Sequence, residues 1–379
     1  MGSTLVYQKN KRNLSIEILR ILSMFLIVLY HTLCGFSVQK NINNCCFEYE
    51  LSINFILFLV QIAVNIYVLI SGYFLVNLNF KINKLIILWL EVVFYSFIIK
   101  LVAMFFGIIN FSIISLLSCF IPIFTGRYWF VTIYFGLYLL SPFINILVRS
   151  LNQRQHTVLN LMLFFLFSFM ISIHPRFFGM NSGGAWGLAW FVVLYLWASW
   201  FRLYYKPNGK WIFKLLLWVV ISSIIALLYS TIELGTVIYT IIGNLYRYDS
   251  VFVSILSLVV FIAFLNIDTN KYFGGNIFGK IILFISPSTF GIYLIHTHPE
   301  VANFFYSLFN FSEYQDTVYK IFFVICLSIL FYFVSMFIDI IRRITIGRID
   351  KSVVIIKICS LLEKYANRFI DILNKRLRC

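Results

Sequence analysis

The sequence predicts an all-α membrane protein, a bundle of about ten transmembrane helices with both termini in the cytoplasm. The first observation is composition: 61% of the residues are hydrophobic and only 12% are charged, whereas a soluble domain carries about 25% charged residues. The second is a mean hydropathy of +0.93. The third is that apolar runs long enough to cross a bilayer recur along the whole chain. A set of soluble domains is therefore excluded.

Each predicted helix is an apolar run of the length that a bilayer requires, about 17 to 25 residues. In chain order the ten runs are 14–34, 54–76, 84–108, 128–149, 157–173, 185–205, 211–231, 250–266, 279–298 and 318–340. Two shorter runs, 111–124 and 234–243, do not reach this length, and the first contains Pro122. We predict that both are interfacial or re-entrant pieces.

The distribution of charge predicts the orientation. The chain has 30 Lys and Arg against 14 Asp and Glu, a net charge of +16, which in a soluble protein would suggest nucleic-acid binding. Here 23 of the 30 basic residues fall in the loops and tails on the side of the N-terminus. Cytoplasmic loops are enriched in Lys and Arg, so both termini are predicted to be cytoplasmic and no nucleic-acid partner is expected.

The same reasoning divides the chain into a membrane domain, residues 1–341, and a basic tail, residues 342–379. The tail alternates Ile and Leu with Lys and Arg, which predicts an amphipathic helix on the inner leaflet. Three cysteines, Cys34, Cys45 and Cys46, are predicted on the outer side, where an oxidising setting permits a disulfide. No residue spacing resembles a metal site, and none is predicted.

Three ionisable residues lie inside the first predicted span: Glu17, Arg20 and His31. Such residues cost about 2.5 kcal/mol or more each, so they suggest a functional site. Glu17 and Arg20 are one helical turn apart and can pair. The eleven residues from Arg20 to His31 come within about 20° of whole turns and span about 16.5 Å, close to the length of an extended pantetheine arm. The alternative is an interfacial ion pair with a separate interfacial histidine.

Further polar or small residues lie at matching depths in other spans. They are Ser71 and Gly72 in the second span, Arg127 and Trp129 at the start of the fourth, and Tyr293 and His296 in the ninth. Each has a structural alternative, because small residues also serve helix packing and Trp also populates the aromatic belt. Arg127 is one of few outer cations and is a candidate for binding an anionic substrate.

Four motifs occur in order: Arg-x10-His in the first span, NIYVLISGYF in the second, RYWF at the start of the fourth and STFGIYLIH in the ninth. Together they resemble the integral membrane acyltransferase-3 family over essentially the whole chain. The resemblance implies a surface-polysaccharide O-acetyltransferase of a bacterial cell membrane. It further implies acetyl-CoA or another acyl-CoA as cytoplasmic donor, and a glycan hydroxyl on the outer side as acceptor. No permanently bound cofactor is expected, and polysaccharide-assembly proteins are candidate partners.

The resemblance also implies residue roles. It makes His31 the catalytic histidine and Arg20 an essential arginine, with Tyr293 and His296 lining the same cavity. Glu17 stands where many members have Asp. Many members have paired arginines and a proline after the second motif, whereas this chain has Lys81 and Lys84 there.

We expect Arg20, Lys84, Ser71 and Gly72 on the donor side, although lysine lacks the bidentate fork of arginine. Arg127 and Trp129 are expected near the acceptor. His31 acts either as general base or as acyl-accepting nucleophile. The rival function is a transporter or flippase of a polysaccharide or lipid-linked oligosaccharide, which typically shows internal repeats; the sequence shows no convincing repeat.

Overall fold

Helices make up all the regular structure of the described residues, so the all-α prediction is confirmed. The structure is a computed structural model that describes residues 12–36, 47–173, 184–232, 243–309 and 318–347, together with 356–357, 360–365 and 368. In chain order the helices are α1 (Leu14–Gly35), α2 (Phe47–Val60), α3 (Ile62–Leu75), α4 (Ile82–Phe105), α5 (Ile113–Leu117), α6 (Trp129–Ser150), α7 (Gln153–Phe164), α8 (Met170–Ile173), α9 (Leu188–Tyr204), α10 (Trp211–Thr231), α11 (Val251–Asn266), α12 (Thr269–Phe273), α13 (Ile277–Ile285), α14 (Thr289–His296), α15 (Pro299–Ser307) and α16 (Val318–Thr345).

Within the described residues, eight helical stretches are long and apolar enough to cross a membrane. They coincide with eight of the ten predicted spans. At the other two predicted positions the apolar helices are shorter, α9 with 17 residues and α11 with 16. The chain is therefore a multi-pass membrane protein. The number of ten crossings and the side of the termini stay predictions.

Two of the long stretches are interrupted. The second, Phe47–Leu75, has a turn at Gln61 between α2 and α3. The ninth predicted span, 279–298, is observed as Ile277–His296 and is broken into α13 and α14 by a 3-10 turn at Ser286–Ser288. Pro287 explains this break, because proline lacks the backbone donor that a continuous α-helix needs.

The short pieces and the tail are seen only in part. Residues 111–124 contain α5 and a 3-10 turn, Ser118–Phe120, as expected of a segment too short to span. Most of the predicted piece 234–243 lies outside the described residues. The predicted boundary at residue 341 falls within α16, which continues to Thr345, so the division into a membrane domain and a tail remains a prediction.

Helix α1 occupies the centre of the bundle. It begins at Asn13, whose side-chain oxygen accepts from the backbone N–H of Ser15 at 3.0 Å, a standard N-cap. It packs against α3, α11, α13, α14 and α16, and Ile16 and Leu19 on it are fully buried. This central position turns the polar stripe of α1 toward its neighbours instead of toward lipid.

Candidate active site

A pair of histidines from two helices forms a polar centre of the bundle. Nδ1 of His31 on α1 lies 3.0 Å from Nε2 of His296 on α14. Nδ1 of His296 lies 2.7 Å from the carbonyl oxygen of Ile292, one turn earlier on α14. Because a carbonyl oxygen only accepts hydrogen bonds, Nδ1 of neutral His296 carries the proton and its Nε2 is an acceptor.

This chain of hydrogen bonds selects the tautomer of His31. His31 donates from Nδ1 to His296, so Nε2 of His31 carries the lone pair. His296 is 1% exposed, which keeps water from competing for its Nε2. The pair therefore presents one imidazole nitrogen, Nε2 of His31, as a base or nucleophile, and a second imidazole oriented to stabilise the proton that remains on Nδ1.

Aromatic residues from the last third of the chain hold the pair in place. The hydroxyl of Tyr306 on α15 donates to the carbonyl oxygen of His31 at 3.0 Å. A Cβ at Gly35 would lie 2.1 Å from the ring of Tyr306, so this close approach requires glycine. On the other side, the ring of Phe331 on α16 meets the imidazole of His296 edge-on, with centroids 6.2 Å apart.

His31 lies on the wall of a cavity that we name the histidine cavity. The other lining residues are mostly apolar or aromatic: Met24, Ile27, Tyr30, Val60, Ala63, Val64, Tyr67, Trp129, Phe130, Tyr248, Phe290 and Tyr293. The structure thus brings Trp129 and Tyr293 to the wall beside His31, whereas His296 lies behind it. Arg127 does not line this cavity; its Nη1 donates to Sγ of Cys119 at 3.8 Å, and its expected place near the acceptor stays a prediction.

Arg20 lies at the boundary of two further cavities. Its Nη1 donates to Oε2 of Glu17 at 2.6 Å, and the side chain of Glu17 is 5% exposed against 24% for Arg20. The first cavity, about 230 Å³, we name the Arg20 cavity; Tyr67, Ser71 and Tyr134 also line it. The second, about 280 Å³, we name the Lys84 cavity, and Arg20, Ser71, Lys84 and Tyr134 border it. Three of the residues expected on the donor side therefore share one cavity.

Gly72, the fourth residue expected on the donor side, lines neither of these two cavities. A Cβ at Gly72 would lie 3.0 Å from Cβ of Ala198 and 3.0 Å from Cα of Tyr195 on α9. The glycine thus permits α3 to approach α9 closely, the structural alternative that the sequence left open. Ser71, one residue earlier, points to the cavities, because successive residues of a helix face different directions.

The cavities adjoin one another along α1. Tyr67, Phe130 and Phe290 line both the histidine cavity and the Arg20 cavity. At the other end, Tyr30 and Tyr248 line both the histidine cavity and a further cavity of about 430 Å³, bordered by Gln61, Trp186, Tyr246 and Arg247. We name this last one the Trp186 cavity. His31 is thus flanked by space on both sides along the helix.

Several residues of the site escaped the sequence reasoning. The hydroxyl of Tyr67 hydrogen-bonds to Oγ1 of Thr289 at 2.8 Å, and this pair joins α3 to the start of α14 beside Arg20. Tyr67 and Ser71 are four residues apart on one helical face, a signal that was present within the second motif. The hydrogen bond from Tyr306 to the backbone of His31 could not be predicted from local sequence, since Tyr306 lies 275 positions from His31.

No curated protein and no solved structure matches the chain. The acyltransferase-3 family model, described as an acyltransferase domain, matches residues 13–338. That match covers well over half of the chain and includes both histidines of the pair, Arg20 and the polar side chains of the four cavities named above. The chain is a member of the acyltransferase-3 family, a family of membrane acyltransferases.

Proposed function

We propose that the chain is an O-acetyltransferase of surface polysaccharide in a bacterial plasma membrane. It transfers acetyl, or another acyl group, from cytoplasmic acyl-CoA to a glycan hydroxyl on the outer side. One observation carries the proposal: the bond from His31 to His296 leaves Nε2 of His31 as a base, on the wall of a cavity flanked by others on both sides.

The donor side is assigned to the Arg20 and Lys84 cavities. Cations suit the phosphates of CoA, and Arg20 offers donors beyond the one bound to Glu17. The predicted topology puts this end of α1 toward the cytoplasm, where acyl-CoA is made. An arm of about 16.5 Å, the axial distance from Arg20 to His31 at 1.5 Å per residue, then brings the thioester to the histidine cavity, which must widen from its volume of about 20 Å³ to admit it.

The acceptor side is assigned to the Trp186 cavity. The indole of Trp186 is 60% exposed, and Gln61 and Arg247 supply polar groups on the same wall. A flat aromatic face beside a few hydrogen-bonding groups is a setting that suits a sugar ring. Tyr30 stands between this cavity and His31, so an acceptor hydroxyl has a short path to the base.

The reaction follows from this placement as a direct transfer. Nε2 of His31 takes the proton of the acceptor hydroxyl as its oxygen bonds to the thioester carbon. The carbon–sulfur bond breaks, and the CoA thiolate recovers the proton from His31. During the step the imidazolium donates from Nδ1 to His296, which stabilises the charge. Tyr293, on the same wall, is our candidate for the group that stabilises the developing oxyanion.

The test is acyl transfer by membrane vesicles that contain the protein, supplied with radiolabelled acetyl-CoA on one face at a time. We expect label to move only when acetyl-CoA meets the face that carries the termini. We expect His31→Ala to lower transfer by about 10²- to 10⁴-fold, the usual contribution of general acid–base catalysis. In cells, NMR of the surface polysaccharide should lose its O-acetyl signals when the gene is deleted.

His156→Gln is the matched control. His156 is a buried histidine on α7 that bonds to the carbonyl oxygen of Leu196 at 3.0 Å, remote from these cavities. This variant should keep its activity, and both variants should elute as monodisperse protein. Wild-type transfer by His31→Ala, in cells that lack other acyltransferases, would rule the proposal out.

Transport of a polysaccharide or lipid-linked oligosaccharide is the second candidate, because adjoining cavities through a bundle also suit a translocation path. The same vesicles discriminate between the two. A transporter leaves the acetyl thioester intact, whereas the proposed enzyme consumes it and releases CoA in step with acetylated product.

A further inference from the structure

The largest cavity described in the structure lies apart from the histidine pair. It has a volume of about 830 Å³ and opens between α4, α13 and the last turns of α16, with Arg12 at its edge. One end of this cavity lies at the ends of two helices, since Arg12 is two residues before α1 and α16 ends at Thr345; from there the cavity extends along α4 as far as Phe94. This end of the bundle is the level at which headgroups meet the spans.

The walls of this cavity are hydrocarbon. Ile87, Leu90 and Phe94 come from one face of α4, and Ile340 and Ile344 from one face of α16. The neighbouring surface of α16 continues this character, because the side chain of Phe337 is 63% exposed. Such walls offer contacts to acyl chains but few hydrogen-bonding groups to a base or a ribose.

The mouth of the cavity is cationic. Arg342 binds two carboxylates, Glu91 at 2.7 Å and Asp339 at 2.9 Å. Arg343 instead donates from Nη1 to the carbonyl oxygen of Phe284 at 2.9 Å and to Oγ of Ser288 at 2.8 Å. Within the described residues, neither Arg343 nor Arg12 has a carboxylate partner. Three arginines thus stand against two acids at the mouth, a net charge of +1, and neither acid is paired with Arg343 or Arg12.

We propose that this cavity binds an anionic phospholipid, with its phosphate at Arg343 and Arg12 and an acyl chain against α4 and α16. The combination of hydrocarbon walls and cations at the interfacial end matches both parts of such a lipid, since basic pockets between spans on the cytoplasmic side bind anionic headgroups. Pro287 borders both this cavity and the Arg20 cavity. A lipid here therefore contacts the break between α13 and α14, the helix that carries His296.

The test is native mass spectrometry of the delipidated full-length protein, with phosphatidylglycerol and phosphatidylcholine of identical acyl chains. We expect phosphatidylglycerol to bind preferentially and to raise the melting temperature. Arg343→Ala and Arg12→Ala should each weaken that binding about fivefold, from a contribution of about 1 kcal/mol per basic residue at the surface. Lys214→Ala is the matched control, a partly exposed cation that donates to the carbonyl oxygen of Lys210, and it should bind as wild type does.

Other occupants give different results. Equal binding of the two lipids overturns the proposal, as does an equal loss in Lys214→Ala. Displacement of phosphatidylglycerol by CoA, sensitive to Arg343→Ala, would reassign the cavity to the nucleotide of the donor. Displacement by inorganic phosphate alone would reduce it to a simple anion site. Both of these outcomes contradict a lipid site.

Discussion

Two arginines in membrane-spanning helices, Arg20 on α1 and Arg342 on α16, each follow an acidic residue three positions earlier on the same helix. By sequence the two pairs, Glu17 with Arg20 and Asp339 with Arg342, are nearly interchangeable. In the structure Arg20 has one carboxylate partner and borders two cavities. Arg342 has two carboxylate partners from two helices.

The difference lies in how many donors the protein itself uses. A guanidinium has five N–H groups. For Arg342, Nε donates to the hydroxyl of Tyr95 and to Asp339, and Nη2 donates to Glu91 and lies 2.9 Å from Oδ1 of Asp339. For Arg20, the one hydrogen bond within the described residues is from Nη1 to Glu17. Arg342 therefore ties α4 to α16, whereas Arg20 keeps donors for a ligand.

The Arg342 cluster also supports α14, the helix that carries His296. Oδ1 of Asp339 accepts from Tyr95 at 2.7 Å, and a Cβ at Gly291 on α14 would lie 2.0 Å from that same oxygen. The cluster thus packs directly on α14, five residues before His296. An intramembrane charge is consequently not a sign of chemistry by itself. Both arginines line a cavity, and they differ in how many protein partners each has.

The largest effect is expected from Arg342→Met, on stability. This change leaves Asp339, which is 0% exposed, without its cation and removes one ion pair of Glu91, at a cost of about 3–5 kcal/mol. The melting temperature in detergent should fall strongly, and adding Asp339→Asn should restore part of it. Arg154→Met, a substitution of an exposed cation on α7, serves as control. An unchanged melting temperature in Arg342→Met would show that the cluster does not stabilise the packing of α4 against α16.

A smaller effect, on activity, is expected from Arg20→Lys. Lysine keeps the charge beside Glu17 but loses the fork, and a hydrogen bond to a charged group contributes about 1.5–3 kcal/mol. Acyl transfer at low acyl-CoA concentration should fall about 10- to 100-fold, while the melting temperature stays near that of wild type. If transfer were unchanged and only stability fell, Arg20 would be a residue that stabilises helix packing, as Arg342 is.

The smallest effect is expected from Gly72→Ala, which extends the comparison to neighbours on α3. The added methyl would press on Ala198 and Tyr195, and overpacking costs about 1–3 kcal/mol. The melting temperature should fall without a change in KM for acyl-CoA. Ser71→Ala, one position away on the cavity side, is the matched control and should shift stability by less than about 0.5 kcal/mol. A raised KM in Gly72→Ala would return Gly72 to the donor site.

Much of the fold was predictable, because the length of an apolar run and the period of a helix are local properties. Every predicted span coincides with an apolar helix, and Arg20 and His31 line adjoining cavities, as their spacing indicated. The break at Pro287 was not predicted, although Ser286, Pro287, Ser288 and Thr289 interrupt the apolar run there. The partners of Glu91, Lys100 and Asp339 could not be assigned either. Their contacts are Arg342 for the two acids and Ser115 for Lys100.

The sequence by itself determined that this chain is a helical membrane protein and that α1 carries an arginine and a histidine on one stripe. Periodicity and hydropathy are enough for that, because each depends only on neighbouring residues. Only the tertiary structure decided which nitrogen of His31 carries the lone pair, since that depends on His296, 265 positions away, and on the carbonyl oxygen of Ile292. It also showed that Arg20 and Arg342 differ in their carboxylate partners, because the number of acids around a cation inside the bundle depends on how the helices pack.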